Sequence, residues 1–167
     1  TLMEAAHNAR VPYVSVVALS DNETTVKETL SKLIADAAQN EVTILIKTSG
    51  IYADTARLRK LLDEFASDFL AVLWDVHHPF RDFGEQADTT IKNLGDYVRH
   101  VHLRDSDDDG EYNLIGEGTA PIEDFMLAWG NYILTDEGYE LFKKRYNDEF
   151  NQFRNRCQTG PTDKVLT

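Results

Sequence analysis

Four short apolar runs recur along the chain at nearly constant intervals, and this repeat limits the fold more than any other feature. Each run is rich in β-branched and aliphatic residues, as in strands buried on both faces of a sheet. Their ends, near Ala18, Lys47, Asp75 and His102, are 29, 28 and 27 residues apart, which is the length of one βα unit. The sequence therefore predicts about four parallel strands, at Val14 to Ala18, Thr43 to Ile46, Phe69 to Trp74 and His100 to Leu103.

The segments between these runs have apolar residues at helical spacing. Asn22 and Asp54 each precede such a segment and predict N-caps, because their side chains can accept hydrogen bonds from free amides of a first helical turn. The apolar positions are Val26, Leu30, Leu33, Ile34 and Ala37, then Leu58, Leu61, Leu62 and Phe65, then Ile91, Leu94 and Val98.

Polar residues stand at three of the predicted strand ends. Right-handed crossovers place the carboxyl ends of parallel strands on one side of a sheet, in barrels and open sheets alike. We therefore expect Lys47, Asp75 and His102 to meet at one rim.

The first candidate for chemistry is the segment Trp74-Asp75-Val76-His77-His78-Pro79. Carboxylate and imidazole groups are ligands for Zn²⁺ and Mn²⁺, and a loop at a strand end can direct both toward one ion. A helix cap beside a hydrogen-bonded histidine is the alternative interpretation.

The second candidate is the run from Arg99 to Asp105, which alternates with period two. His100 and His102 share one face, whereas Val101 and Leu103 face the helices. Because buried imidazoles require hydrogen-bond or metal partners, the pattern favours a ligand role for His102.

A glycine-rich loop follows the acidic turn Asp105 to Asp109. Gly116 and Gly118 flank Glu117 and permit a tight loop over the rim, and a helix begins near Pro121. A solvated acidic turn without function is the alternative.

Length limits how much of a barrel the chain can form. A complete eight-stranded barrel needs at least about 200 residues, and this chain has 167. We expect a barrel segment over residues 1–128 and a C-terminal helical extension or linker over 129–167. Within the extension, Tyr139 to Arg156 predicts a helix whose apolar stripe is formed by Phe142, Tyr146, Phe150 and Phe153.

Charge and cysteine content exclude several partners. A formal net charge of −12 argues against nucleic acid as a partner. The single cysteine, Cys157, rules out an internal disulfide and favours the cytoplasm. The longest apolar runs are far shorter than a membrane helix, so we expect no membrane partner.

The order of these motifs resembles the second half of sugar phosphate isomerases/epimerases, in the xylose-isomerase-like superfamily that also includes AP endonuclease family 2. The resemblance covers roughly residues 1–128 and rests on Asp75-x-x-His78, His100-Val-His-Leu-Arg-Asp105 and Gly116-Glu-Gly118 with Pro121-Ile-Glu123. It implies a partial (β/α)8 TIM barrel of about four consecutive βα units.

The resemblance also implies a chemistry: proton transfer next to a sugar carbonyl, assisted by a divalent metal such as Mn²⁺, Zn²⁺ or Mg²⁺. Asp75 and His102 match the metal ligands, and His78 matches a residue that contacts the substrate or a second metal. Arg104 stands where the family often has a basic residue facing the substrate. Glu117 is a further candidate for substrate binding.

Two departures from the family pattern concern its glutamates. Lys47 occupies the strand end where the family has a glutamate that is both metal ligand and acid/base, and no strand ending in glutamate is evident after Phe125. An ammonium beside a divalent ion is strongly repelled. Lys47 either points to solvent or takes the place of the metal with Asp75 as its counter-charge. Lys47 and His78 remain the candidate catalytic residues.

The leading hypothesis is a sugar phosphate isomerase/epimerase-like protein, with a sugar or sugar phosphate as its small-molecule partner. The alternative is a catalytically degenerate barrel segment that acts as a binding or structural module. An endonuclease IV type of DNA repair enzyme is a third, weaker option. Because a partial barrel leaves strand edges open, we expect a homo-oligomer or a part of a larger chain.

Overall fold

The computed structural model describes residues 1–133 together with Thr135 and Lys144. The chain divides into two compact units, Thr1–Trp129 and Gly130–Thr167. The predicted helix over 139–156, its aromatic stripe and Cys157 lie outside the described residues, so the C-terminal helical extension stays a prediction.

Helices and strands alternate through the first unit. Two short 3₁₀ turns lie at Gly50–Tyr52 and Gly95–Tyr97. The elements are α1 Leu2–Asn8, β1 Tyr13–Val16, α2 Glu23–Gln39, β2 Thr43–Lys47, α3 Thr55–Phe65, β3 Leu70–Asp75, α4 His77–Phe83, α5 Ala87–Leu94, β4 Val98–His102, β5 Asp105–Ser106, β6 Tyr112–Asn113 and α6 Ile122–Ile133.

The four long strands form one parallel sheet in the order β1-β2-β3-β4. The order follows the sequence, as expected when each strand is joined to the next by one helical crossover. Register pairs Lys47 with Leu73 and Asp75 with His102, so the ends of β2, β3 and β4 lie at one edge. The prediction of a partial barrel made of consecutive βα units is thus confirmed.

The two faces of the sheet carry different cores. The face covered by helices holds the larger core, in which Trp74 and Leu58 are among the fully buried side chains. The opposite face has a small cluster of Leu45, Ala71 and Leu73, against which Tyr13 packs. Successive strand residues point to opposite faces, so Lys47 and Asp75 continue the face of this smaller cluster.

Both predicted N-caps are confirmed. The Asn22 side chain accepts hydrogen bonds from Thr24 N–H and Thr25 N–H at the start of α2, and Asp54 accepts one from Arg57 N–H at the start of α3. Such caps satisfy amides that a first helical turn leaves without partners.

Three local expectations were wrong. Val98 begins strand β4 and does not extend the preceding helix. His77 and His78 lie in the first turn of α4, because the chain enters a helix two residues after the strand ends. Leu103 does not face the helices and is 40% exposed, since β4 ends at His102 and its alternation stops there.

Across the described part of the chain, no helix combines the length and apolar character that crossing a membrane requires.

Candidate functional site at the carboxyl edge of the sheet

Asp75 is the centre of a cluster of charged groups where β2 and β3 end. Its side chain is completely buried, and its Oδ2 lies 2.8 Å from Lys47 Nζ and 3.2 Å from Arg104 Nε. The Lys47 side chain is 15% exposed and that of Arg104 is 35% exposed. Two cations therefore share one carboxylate oxygen, and the three groups keep one net positive charge. We call Lys47, Asp75 and Arg104 the rim cluster.

The position of Asp75 is fixed by two neighbours that the sequence did not single out. The buried Thr48 hydroxyl accepts a hydrogen bond from Asp75 N–H at 2.9 Å and donates to the Asp75 carbonyl at 3.0 Å. The His77 N–H donates to Asp75 Oδ1 at 3.2 Å. Oδ1 of Asp75 thus accepts a hydrogen bond, and Oδ2 is paired by charge with Lys47 and Arg104.

His102 lies beside Asp75 on the adjacent strand, in direct register. Its ring is partly buried and packs edge-on against the exposed ring of His100 at 5.1 Å. Burial lowers the pKa of His102, and the nearby His100, Lys47 and Arg104 lower it further, against an opposing effect of Asp75. The neutral imidazole can accept a hydrogen bond at one ring nitrogen.

A series of ring contacts connects the rim cluster to α4. Arg104 Nη1 donates to the Tyr112 hydroxyl at 3.0 Å, and the guanidinium lies 5.2 Å from the centre of that ring. Tyr112 packs edge-on against His77 at 5.2 Å, and His77 packs in the same way against His78 at 5.2 Å. His77 thus contacts both His78 and Asp75, to which it donates its backbone N–H.

The two histidines of α4 differ in their environments. His77 is 7% exposed, and its buried Nδ1 has no hydrogen-bond partner among the described residues. Burial is the main reason that its pKa is lowered. His78 Nδ1 lies 3.0 Å from Asp82 Oδ2 one turn later in the helix. The sequence predicted that His78 contacts the substrate. In the structure, Asp82 holds the His78 imidazole within helix α4.

Asp105, at the start of the predicted acidic turn, is buried and anchors the loop that follows. Its carboxylate accepts hydrogen bonds from four backbone amides, those of Ser106, Gly116, Gly118 and Ala120, at 2.8, 2.8, 3.1 and 3.2 Å. Burial alone would raise the pKa of Asp105, but these donors outweigh burial and lower it. The interpretation of a wholly solvated acidic turn is wrong at this residue.

Gly116 and Gly118 are needed in this loop because a side chain at either position would be strained or would clash. A Cβ placed on Gly118 would lie 2.3 Å from Asp105 Oδ1, and Gly116 has a φ of +91°. Only glycine lets the backbone approach the carboxylate this closely. The loop is thus shaped around Asp105.

Arg81 of α4 ties the same loop to the helix. Its guanidinium donates to the Ser106 hydroxyl, the Ser106 carbonyl, Thr119 Oγ1 and Asp108 Oδ1. Its side chain is 15% exposed. The loop therefore has a fixed position beside the carboxyl edge.

Glu117, a candidate for substrate binding, is exposed in this loop, and its backbone N–H donates to the Leu114 carbonyl at 2.9 Å. Within residues 1–133 no ion pair joins it to the rim cluster. The structure thus brings together Lys47, Asp75, His102 and Arg104, whereas His78 and Glu117 lie outside the ion pairs.

The residues at this edge do not fit a divalent metal. Asp75 Oδ2, the oxygen that would bind an ion, is already in contact with two cations. The described residues contain no group of three or more histidine, cysteine, aspartate or glutamate side chains arranged to hold a metal. Zinc and manganese sites require several such ligands and no adjoining ammonium.

Sequence reasoning missed Thr48, His77, Tyr112, Asp105 and Arg81. A signal existed for Asp105, because two glycines separated by one residue follow it closely enough to place amides around a carboxylate. The contacts of Arg81 join segments that are 25 or more residues apart in the chain. Tyr112 comes near Arg104 because strands β5 and β6 pair as a hairpin. No local pattern shows them.

A family model described as a xylose isomerase-like TIM barrel matches residues 1–139. No curated protein matches the chain.

Three solved structures are similar in fold. A xylose isomerase domain protein from Planctomyces limnophilus is 14% identical with a TM-score of 0.65, and the match covers 78% of this chain and 52% of that one. A D-tagatose 3-epimerase-like protein is 17% identical with a TM-score of 0.67, covering 95% and 68%. The 3-keto-D-glucoside 4-epimerase from E. coli is 16% identical with a TM-score of 0.63, covering 78% and 56%. The chain thus spans about half the length of the first of these structures.

Proposed function

Because this chain belongs to the xylose isomerase-like TIM barrel family, we propose that its carboxyl edge binds a small sugar or sugar phosphate. The proposed role is that of a binding module in which the rim cluster holds the ligand without a divalent metal. Membership of this family and the fold shared with two sugar epimerases or epimerase-like proteins support the ligand class. The charges at the edge support the mode of binding.

The observation that carries the proposal is the sharing of one buried carboxylate by two cations. Asp75 fixes the Lys47 ammonium and the Arg104 guanidinium in place, which removes part of the entropy that free side chains would lose on binding. The excess positive charge favours an anionic oxygen, and a guanidinium can bind phosphate through two parallel hydrogen bonds. The neutral His102 ring adds a group able to contact a hydroxyl.

Metal-assisted proton transfer is the less favoured proposal for these residues. Lys47 Nζ is paired with Asp75 Oδ2 and His78 Nδ1 with Asp82 Oδ2, so both candidate catalytic groups are engaged by carboxylates. A catalytic ligand set would have to include groups that the rim cluster does not contain. Lys47 is therefore assigned to ligand binding.

We expect Arg104→Ala to weaken binding of a sugar phosphate at least tenfold, because a hydrogen bond between charged groups contributes about 1.5–3 kcal/mol. Calorimetric titration with a ketohexose, the same ketohexose phosphate and inorganic phosphate measures the effect. Lys92→Ala is the control, since it removes one positive charge from an exposed position of α5.

Each result bears on a separate part of the proposal. Binding of the ketohexose phosphate, lost in Arg104→Ala and kept in Lys92→Ala, would support it. Equal loss of binding in both variants would show that binding depends only on the net charge of the chain and would contradict the proposal. Absence of saturable binding of all three ligands to the parent chain would refute it.

A second copy is the partner that we propose for the isolated chain. Among the described strands, β1 pairs only with β2. Val17 and Leu19, which follow β1, are 49% and 93% exposed, and an apolar cleft of about 250 Å³ lies between β1 and α2. We expect light scattering to show a dimer, and Leu19→Asp to shift it toward monomer. A parent chain that stays monomeric at high concentration would contradict this expectation.

A further inference from the structure

We infer that Lys47 is a built-in cation that keeps divalent ions away from the Asp75–His102 pair, and that replacing this one side chain with a ligand creates a metal site. The inference concerns the side chains at the edge and does not depend on whether the edge binds a sugar.

Three side chains stand at the ends of neighbouring strands, at one edge of the sheet. Asp75 and His102 end neighbouring parallel strands in direct register, and Lys47 ends the strand on the other side of β3. Its Nζ lies 2.8 Å from Asp75 Oδ2, so the Lys47 side chain extends to the oxygen that a metal would bind. A carboxylate or imidazole at position 47 would complete a set of three ligands from three consecutive strands, the minimum for a site that keeps one open position.

The orientation of Asp75 is already suited to this change. Its Oδ1 accepts the His77 N–H and its backbone is fixed by Thr48, which leaves Oδ2 as the oxygen that Lys47 and Arg104 contact. Removal of the ammonium therefore leaves Oδ2 in contact with Arg104 alone, whose side chain is 35% exposed and can turn to water when an ion binds. The direction of the oxygen does not depend on Lys47. In metal sites, hydrogen bonds from surrounding residues to the ligand side chains orient those ligands in the same way.

Charge decides the outcome in the parent chain. Lys47 and Arg104 place two positive charges around Oδ2, and a divalent ion within a few ångströms of an ammonium is strongly repelled. Lys47→Glu changes the local charge by two units and adds a ligand. Lys47→His adds a ligand and removes the charge without placing a second carboxylate next to Asp75.

The test is titration of the full chain with Zn²⁺ and Mn²⁺ by calorimetry, and with Co²⁺ by visible absorption, whose d–d bands report coordination. We expect the parent to bind no tighter than Lys47→Met, which removes the charge and supplies no ligand. Lys47→Glu or Lys47→His should bind Zn²⁺ at least 100-fold more tightly than Lys47→Met, with one ion for each chain. Adding His102→Ala to either variant should reduce that affinity at least tenfold.

Two results would overturn the inference. One is stoichiometric Zn²⁺ binding by the parent as tight as in the ligand variants, which would show that Lys47 does not oppose the ion. The other is folded Lys47→Glu and Lys47→His chains that gain no more affinity than Lys47→Met or keep their affinity after His102→Ala. Far-UV circular dichroism and thermal melting establish folding of each variant. The calorimetric result stands apart from the sugar titration, so either proposal can fail alone.

Discussion

Asp105→Ala is expected to lower the free energy of unfolding by about 4 kcal/mol. The substitution leaves four backbone N–H groups around a buried position without their acceptor, and each unsatisfied buried donor costs about 1–3 kcal/mol, less where water can enter. Urea unfolding followed by the fluorescence of the buried Trp74 measures the change. A loss below about 1 kcal/mol would show that the loop holds its position without Asp105.

The same carboxylate should make stability depend on pH in the acid range. The pKa of Asp105 is lower in the folded chain than its ordinary value of about 3.9, so the unfolded chain binds the proton more readily. The stabilisation is therefore complete above about pH 4 to 5 and is lost as the pH falls through the folded pKa. Asp105→Asn should flatten this part of the stability profile, whereas an unchanged slope would assign it to other carboxylates.

Gly118→Ala is the complementary variant for the same interaction. Its Cβ would meet Asp105 Oδ1 at 2.3 Å and Ser106 N at 2.8 Å, so the loop has to move away and hydrogen bonds to Asp105 are lost. Gly130→Ala is the matched control, because it lies in helix α6 and its added Cβ would meet no described atom within 4 Å outside its own helix backbone and chain neighbours. Alanine in a helix is favoured over glycine by about 1 kcal/mol, so the control should be neutral or stabilising.

Asp75→Ala is expected to cost about 3 kcal/mol of unfolding free energy. Removing one partner of a buried ion pair costs about 3–5 kcal/mol when the other charge stays buried. Arg104 is 35% exposed and can turn to water, whereas Lys47 is 15% exposed and loses its counter-charge. The lower end of the range therefore applies.

Two further variants separate the contributions of the Asp75 charge and of its hydrogen bond to this loss of stability. Asp75→Asn keeps an acceptor for the His77 N–H but removes the charge, so it should fall between the parent and Asp75→Ala. Lys47→Met combined with Asp75→Asn removes the charged partners from β2 and β3 together and should recover part of the loss. Denaturant unfolding of the parent, Lys47→Met, Asp75→Asn and the double variant gives the coupling energy. A coupling near zero would mean that Lys47 and Asp75 do not depend on each other.

The order of elements was predictable because local forces determine it. The apolar runs became strands, the helical spacings became α2, α3 and α5, and the caps Asn22 and Asp54 were correct, since each depends on residues within a few positions of one another. The meeting of Lys47, Asp75 and His102 at one edge also followed from the sequence, because parallel strands joined by single crossovers must share their carboxyl edge. The division at residue 128 remains a prediction.

Only the tertiary structure decided what the residues at this edge do. The sequence left Lys47 either in solvent or beside Asp75, and the distance of 2.8 Å between the two groups selects the second possibility. The sequence left a solvated acidic turn at Asp105 as one alternative, yet amides 11, 13 and 15 residues away fold back onto its carboxylate. The local sequence does not determine the partners of polar side chains such as Lys47 and Asp105. Their pairing depends on which distant groups the packed backbone brings within reach.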